Sequence, residues 1–209
     1  MVRFKQFLIL TVFIWFLSPI LTLQAEVTQI DKYKKAIESD PKDFVAYLEL
    51  GRAYQKLGLY ENAIAEYREA LNLEPIYSAA YQGIGGSYGE MRQYDKAAKA
   101  YQKAVDIDPN YPEAQYGLGW SFYHLDRFED AIEPLLIAIN FKPSLGTAHF
   151  ALGQTYAALG GFEKAINRFK ETLRLIPTYP EAYSELGNAY LGIRKYDLAI
   201  ESYKGAVQL

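Results

Sequence analysis

The fold is decided by a unit of 34 residues, which residues 78–111 show as SAAYQGIGGSYGEMRQYDKAAKAYQKAVDIDPNY. Counted from its first residue, the unit has glycine at position 8, alanine at position 20 and proline at position 32. The glycine recurs at Gly51, Gly85, Gly119, Gly153 and Gly187, the alanine at Ala63, Ala97, Ala131, Ala165 and Ala199, and the proline at Pro41, Pro75, Pro109, Pro143 and Pro177. A period this strict indicates one supersecondary unit copied along the chain, which buries its apolar face by stacking on its neighbours.

The positions between these markers predict two helices in each unit. Positions 4, 7, 8 and 11 share one face of a first helix, and positions 20, 24 and 27 share one face of a second. Aromatic residues fill most of positions 4, 11, 17 and 24, as in Tyr81, Tyr88, Tyr94 and Tyr101. The proline at position 32 lacks a backbone donor and ends the second helix. We therefore interpret most of the tyrosines as core residues between stacked helices.

This pattern closely resembles the tetratricopeptide repeat (TPR), and the resemblance covers residues 44–209. It implies an all-α fold, a right-handed superhelical solenoid of stacked antiparallel helix pairs with a concave groove. The units are residues 44–77, 78–111, 112–145, 146–179 and the incomplete 180–209. Tyr33, Ala36 and Pro41 match positions 24, 27 and 32 of an earlier copy. Residues 26–43 are therefore predicted to be an N-terminal capping half-repeat, with one helix over about residues 27–39.

The first 25 residues have the features of a signal peptide. Arg3 and Lys5 precede an apolar run over residues 7–17, which only Thr11 interrupts, and residues 23–25 resemble a cleavage site. The run is short for a membrane span, which needs about 20 apolar residues. We expect a secreted, periplasmic or cell-envelope protein. The alternative is a chain that residues 7–23 anchor to a membrane.

Composition argues against several classes of protein. The chain has no cysteine, a formal net charge of −3 and scattered charges of both signs, so neither a thiolate site nor nucleic-acid binding is expected. His149 falls at a core position, and a pair of histidines with no third ligand makes a poor metal site with His124. No nucleophile elbow or phosphate-binding loop occurs. We therefore predict no cofactor, no metal and no enzymatic activity.

One first helix is apolar on a second face. Tyr116, Trp120, Tyr123 and His124 are spaced by four, seven and eight residues, which places them together on a helix. The resemblance implies that positions 2, 5, 9, 12 and 13 line the groove. That set also brings in Phe150, at position 5 of the fourth unit, and Arg52 and Gln154, at position 9 of the first and fourth units. The hypothesis is an aromatic cradle for a peptide or helix of a partner protein. The alternative is tighter local packing with no ligand.

Three further features carry expectations. Gly83, Gly86 and Gly89 are expected to leave the groove of the second unit open. Pro134, inside a second helix, should bend or delay that helix. The last unit stops before its proline, so its apolar residues should face solvent and suggest a partner, self-association or a truncated chain; these residues are Ile200, Tyr203 and Val207.

The sequence thus favours a protein-interaction scaffold or adaptor. Two alternatives remain open. The chain is a recruiting module of a larger enzyme, or it is a membrane-anchored structural subunit that oligomerises through its C-terminal edge.

Overall fold

The computed structural model describes residues 26–209, and that range contains helices and no strand. Residues 26–39 are helical and are labelled α1. Ten more helices follow: α2 (Phe44–Lys56), α3 (Tyr60–Leu73), α4 (Ser78–Glu90), α5 (Tyr94–Ile107), α6 (Pro112–His124), α7 (Phe128–Phe141), α8 (Gly146–Ala158), α9 (Phe162–Leu175), α10 (Pro180–Gly192) and α11 (Tyr196–Val207). The predicted signal peptide and the alternative membrane anchor lie outside these residues. In residues 26–209, no helix has the length and apolar character needed to span a bilayer.

The helix bounds follow the sequence period. The even-numbered helices from α2 to α10 begin at the first residue of each 34-residue unit, and the odd-numbered helices from α3 to α11 begin 16 residues later. Connections of three residues within a pair make the two helices antiparallel neighbours. The prediction of an all-α solenoid of helix pairs is confirmed.

In each helix pair, the residue at position 15 of the unit has a left-handed backbone conformation. Gly58 and Gly160 have φ of 72° and 74°, and Arg92, Asp126 and Arg194 have φ of 57°, 56° and 60°. The next residue then donates its N–H to a carbonyl five positions earlier, as Leu59 does to Tyr54 at 2.9 Å and Arg127 to Phe122 at 2.9 Å. This is the Schellman pattern that ends helices. Glycine adopts it without strain, whereas the other three residues hold it at a steric cost.

The chain divides into two compact units, with the boundary between Gly83 and Ile84 inside α4. In the first unit, α2 packs against α3. Asp43 starts α2 by accepting hydrogen bonds from the backbone N–H groups of Val45 and Ala46, both at 3.0 Å. The helix of the half-repeat is linked to α2 by an ion pair between Glu26 and Lys56 at 3.4 Å.

In the second unit, every helix from α5 to α10 packs against the next one along the chain. Alternate helices also touch, α6 with α8 and α8 with α10. These contacts make α6, α8 and α10 one layer, and α7, α9 and α11 each pack against the helices of that layer. The buried core lies between the layers and includes Leu135 and Leu152 at one level and Phe169 and Leu186 at the next.

The side chain at position 24 of each pair packs against the glycine at position 8 of the same pair. In the second unit, the ring of Tyr101 lies between Gly85 of α4 and Gly117 of α6. A Cβ added to Gly117 would lie 2.2 Å from the Tyr101 Cζ, and one added to Gly85 would lie 2.9 Å from the ring. In the first unit, Tyr67 lies between Gly51 and Gly83 in the same way. The expectation that Gly83 leaves an open space was wrong, because the Tyr67 ring fills that space. Gly89 has no heavy atom within 4 Å and is open.

Pro134 does not delay its helix. The helix α7 begins at Phe128 and runs through Pro134 to Phe141. It is 14 residues long, as is α9. Pro134 is buried, and α7 packs against both α6 and α8. Packing on both sides therefore holds the segment helical although one backbone hydrogen bond is lost.

The C-terminal helix is exposed at two of the three predicted positions. Ile200 is 53% exposed and Val207 is 87% exposed. Tyr203 was expected to face solvent and is only partly exposed. Its ring lies against Gly187, and its hydroxyl donates to the Asn188 Oδ1 at 2.7 Å. The position-24 ring of the last pair therefore lies against the glycine of its own pair, as in the earlier pairs.

Candidate functional site

Helix α6 is packed on one face and carries four aromatic side chains on another. Its buried residues include Leu118 and Gly119, and Gly119 lies against Leu135 of α7. Tyr116, Trp120 and Tyr123 are partly exposed at the edge of the buried cluster that holds Leu135 and Leu152. His124, at the last turn, is exposed. The structure thus brings together the four residues that the spacing placed on one face.

The four rings are in continuous contact. The ring centroids of Tyr116 and Trp120 are 6.4 Å apart, and those of Trp120 and Tyr123 are 5.4 Å apart, both pairs being stacked. His124 meets the Trp120 ring edge-on at 4.3 Å and the Tyr123 ring at 5.4 Å. Such pairs stabilise one another beyond the area they bury, so the face is a rigid aromatic surface and not four separate side chains.

A fifth ring joins from the preceding helix. Tyr94, the first residue of α5, stacks on His124 with a centroid distance of 4.3 Å and an interplanar angle of 10°. Sequence reasoning assigned Tyr94 to the core, because position 17 is aromatic in every unit. The missed signal was His124 at position 13, which offers the partner ring. We call Tyr94, Tyr116, Trp120, Tyr123 and His124 the aromatic surface.

The pKa values of Tyr116, Tyr123 and His124 are all shifted in the direction that keeps these side chains neutral. Burial raises the pKa of Tyr116 to about 12, and Tyr179 adds to the rise, whereas a hydrogen bond with Thr147 opposes it. Burial also raises the pKa of Tyr123, and the carboxylates of Glu185 and Asp126 raise it further.

The pKa of His124 is lowered first by burial and then by the Arg92 guanidinium. Its imidazole therefore stays uncharged near pH 7. The surface consequently presents neutral rings to a ligand.

Gln154 lies on α8, the helix that contacts both α6 and α10. Its Oε1 is buried and has no hydrogen-bond donor among residues 26–209. Leaving a buried acceptor unpaired costs about 1–3 kcal/mol. Gln154 is the only predicted site residue in this range with an unsatisfied buried polar atom.

The two other predicted site residues are not on the aromatic surface. Phe150 was expected beside it but is only 7% exposed. Its ring packs on Phe169 at 5.8 Å and on Tyr179 at 4.8 Å, so it belongs to the core between α8, α9 and α10. Arg52 lies on α2 in the first unit, where its guanidinium pairs with Glu49.

The histidine at the core position is packed, as expected from its place in the repeat. The His149 Nε2 lies 3.1 Å from the carbonyl oxygen of Pro143. A carbonyl only accepts, so Nε2 carries the proton and the buried Nδ1 has no partner. Gln115 makes the equivalent bond to the Pro109 carbonyl at 2.8 Å one unit earlier. In residues 26–209, no three His, Asp or Glu side chains lie close enough to hold a metal ion.

Comparison with known proteins agrees with this architecture. Four family models of the tetratricopeptide repeat match, over residues 32–65, 84–144, 155–193 and 180–209. No match was found among curated protein sequences.

Several solved structures are similar to the chain. The crystal structure of MamA protein is 27% identical, with a TM-score of 0.71 over 79% of this chain and 90% of MamA. PilF of Pseudomonas aeruginosa is 24% identical, with a TM-score of 0.72 over 81% of this chain and 78% of PilF. YrrB, described as a TPR protein with an unusual peptide-binding site, is 24% identical, with a TM-score of 0.71 over 84% of this chain and 91% of YrrB.

The repeat period, the stacked helical hairpins and the four matching models lead to one assignment. The chain belongs to the tetratricopeptide repeat family, whose fold serves as a scaffold for protein–protein interaction.

Proposed function

We propose that this protein is an exported scaffold that binds a peptide or helix of a partner protein at the aromatic surface and catalyses no reaction. The observation that carries the proposal is the continuous contact of partly exposed rings along α6. Tryptophan and tyrosine are the residues most often found as energetic anchors of interfaces. A preformed stack of them loses little side-chain entropy when a partner binds.

Packing of the helix pairs does not require these rings. Helix α10 is 13 residues long, like α6, and has the same place in its unit. At the positions of Tyr116 and Trp120 it carries Ser184 and Asn188. Since α10 forms without aromatic residues there, a helix in this place of the unit does not need them, and their exposed faces on α6 are available to a partner.

The proposal is tested by capture of partners from the native cell-envelope fraction with Trp120→Ala beside the wild-type chain. Tyr196→Ala is the matched control, because Tyr196 is 59% exposed on α11 and is outside the aromatic surface. We expect the Trp120→Ala protein to lose specific partners that the Tyr196→Ala protein keeps, with unchanged helicity. Equal capture of partners by all three proteins would show that the aromatic surface does not bind them.

Export is proposed from the first 25 residues. The positive start, the apolar run and the small residue at position 25 support a cleaved signal peptide. Mass spectrometry of the protein isolated from its native cells distinguishes the possibilities. A chain that begins at Glu26 supports cleavage, and a membrane-associated chain that retains residues 1–25 supports the anchor.

Self-association is a second candidate function, and the exposed apolar residues of α11 favour it. Ile200 and Val207 offer 53% and 87% of their surface to solvent. Sedimentation over a range of concentrations tests it, with Ile200→Asp as the variant. An increase of mass with concentration that Ile200→Asp abolishes supports an oligomer, and a constant monomer mass refutes it.

A further inference from the structure

The exposed apolar face of α11 corresponds to a face that the preceding second helices bury. The second helices α5, α7 and α9 each pack against the first helix of the following unit. Ile166, at position 21 of its unit, is 6% exposed and lies in one buried cluster with Ala182 and Leu186 of α10. Ile200 and Val207 hold positions 21 and 28 of the last unit and remain mostly exposed. The α11 face therefore has the pattern that receives a helix in the preceding units.

The tyrosine at position 24 sets a requirement for the helix that packs over it. Tyr101 lies against Gly117 of the following first helix, where an added Cβ would lie 2.2 Å from the Tyr101 Cζ. Tyr67 lies against Gly83 in the same way, with a distance of 2.5 Å. Both glycines hold position 6 of their units. A helix that covers a tyrosine at this place therefore needs a glycine, because any Cβ would displace the ring.

Tyr203 has a glycine on one side of its ring. The ring lies against Gly187 of its own pair, and the hydroxyl bond to Asn188 holds it there. Tyr67 and Tyr101 each meet a second glycine from the next first helix. The helix α11 is the last of the described helices, and Tyr203 is partly exposed. The ring is therefore oriented as in the earlier units and lacks the helix that would cover it.

We propose that the α11 face, formed by Ile200, Tyr203 and Val207, binds an amphipathic helix of a partner protein that carries a glycine against Tyr203. Aliphatic residues of the bound helix lie over Ile200 and Val207. Amphipathic helices dock through anchors that recur at such spacings, and glycine allows the close backbone approach that encloses the ring. This surface is separate from the aromatic surface on α6, so the inference adds a second docking site to the proposed scaffold.

The glycine requirement distinguishes a partner helix from a second copy of the chain. The terminal helix α1 contains no glycine. The one glycine of α11, Gly205, already lies against the ring of Tyr183. Two copies paired through these end helices would therefore leave Tyr203 without the residue that its ring accommodates in the earlier units.

The experiment is a selection of displayed amphipathic helices, randomised along one face, against the purified full chain. Ile200→Asp is the parallel target. Ile76→Asp is the matched control, because Ile76 is an exposed isoleucine of the first unit. We expect helices with a glycine at one fixed position of the randomised face to be enriched on the wild-type chain and on Ile76→Asp, and lost on Ile200→Asp. Circular dichroism checks that both variants keep the helicity of the wild-type chain.

Three outcomes of this selection would overturn the inference. The first is the absence of any helix that depends on Ile200, and the second is enrichment without a preference for glycine. The third is loss of the enriched helices on Trp120→Ala, which would place them on the aromatic surface and support the proposed function instead. Retention on Trp120→Ala, together with loss on Ile200→Asp, supports a separate site.

Tyr203→Leu tests the glycine requirement directly. In the third unit, Leu135 and Ala151 hold the places of Tyr101 and Gly117 in one buried cluster. Selection on Tyr203→Leu should therefore favour alanine where the wild-type chain selects glycine. The same preference for glycine on both targets would overturn the inference.

An enriched helix also allows the affinity to be measured by fluorescence anisotropy. Replacing its glycine by alanine should weaken binding to the wild-type chain about tenfold, because the added methyl group overpacks the ring. The same replacement should not weaken binding to Tyr203→Leu. Sedimentation of the chain alone tests the other occupant. A mass that rises with concentration and that Ile200→Asp abolishes would show a second copy on the α11 face and would overturn the inference.

Discussion

Gly117 is the position at which a single methyl group should do most harm to the fold. Its Cβ would lie 2.2 Å from the Tyr101 Cζ, whereas ordinary contacts are 3.4–4 Å. The Tyr101 ring would have to move by more than 1 Å. On its other side the ring faces Gly85, where even an added Cβ would lie only 2.9 Å from it, so the backbone of α4 leaves little room for that movement. Tyr101 is 8% exposed and has no open space to enter.

The expected loss for Gly117→Ala is the difference between two effects. Overpacking of a core costs about 1–3 kcal/mol, and the trapped ring places this site at the upper end. Alanine gains about 1 kcal/mol over glycine in a helix interior. We therefore expect a net loss of about 2 kcal/mol in the free energy of unfolding, or a fall of about 4–8 °C in Tm for a chain of this size. The measurement is urea denaturation followed by circular dichroism.

Gly89→Ala is the matched control for the helix-propensity gain. Gly89 has no heavy atom within 4 Å and lies next to the last residue of α4. It should stabilise the chain by about 0.5 kcal/mol, since propensity counts for less near a helix end. Opposite signs for the two glycine-to-alanine changes would separate the steric effect from the backbone effect.

The next unit suggests how the damage is repaired. There Leu135 takes the place of Tyr101, and Ala151 takes the place of Gly117 within one buried cluster. Tyr101→Leu combined with Gly117→Ala should therefore be more stable than the sum of the single changes by about 1–2 kcal/mol. The reasoning would be refuted if Gly117→Ala were as stable as the wild-type chain. It would also be refuted if the effects of the two single changes on the free energy of unfolding simply added in the double variant.

Three further predictions follow from local geometry. Asp126→Gly should raise the free energy of unfolding by about 0.5–1 kcal/mol, because glycine adopts its φ of 56° without strain; denaturation that shows a loss would contradict this. Gly160→Ala should cost about 1 kcal/mol at the equivalent turn, where φ is 74°; the same assay measures it. Burial lowers the pKa of His149 in the folded chain, so its imidazole is protonated more readily in the unfolded chain. The neutral imidazole therefore contributes stability above about pH 6.5, and this contribution is lost as the pH falls. His149→Gln, which copies Gln115, should reduce this loss, and equal pH dependence for both proteins would refute it.

The sequence period predicts the fold because the repeated residues determine where helices can approach closely and where they end. Gly at position 8 and Ala at position 20 occur where helices approach closely, and Pro at position 32 lies beyond each second helix. These are steric requirements that depend on residue type alone. The position-15 turn has no such marker, since its left-handed residue is Gly58 in the first unit but Arg92 and Asp126 in the next two. There the hydrogen bonds of the turn outweigh the steric preference of the residue.

Side-chain direction is less predictable than helix position. Phe150 and Tyr116 both hold position 5, yet Phe150 is buried between α8, α9 and α10 while Tyr116 joins the aromatic surface. Tyr203 likewise turns back onto Gly187 although its helix is exposed. For Phe150 and Tyr116 the outcome depends on the space left by neighbouring side chains, since Phe150 packs on Phe169 and Tyr179. Periodicity within one helix does not contain that information.

The rings that the core has no room for are the ones left available to a partner. Gly119 on α6 receives Leu135 from α7, and Gly117 receives Tyr101 from α5, so the packing face of α6 is filled by side chains from its neighbours. Its own large rings, Trp120 above all, are left at the edge of the core and touch one another. A scaffold that needed only stability would place small polar residues there, as α10 does with Ser184. The partly exposed rings of α6 that stack on one another are therefore the surface that we propose for a partner segment.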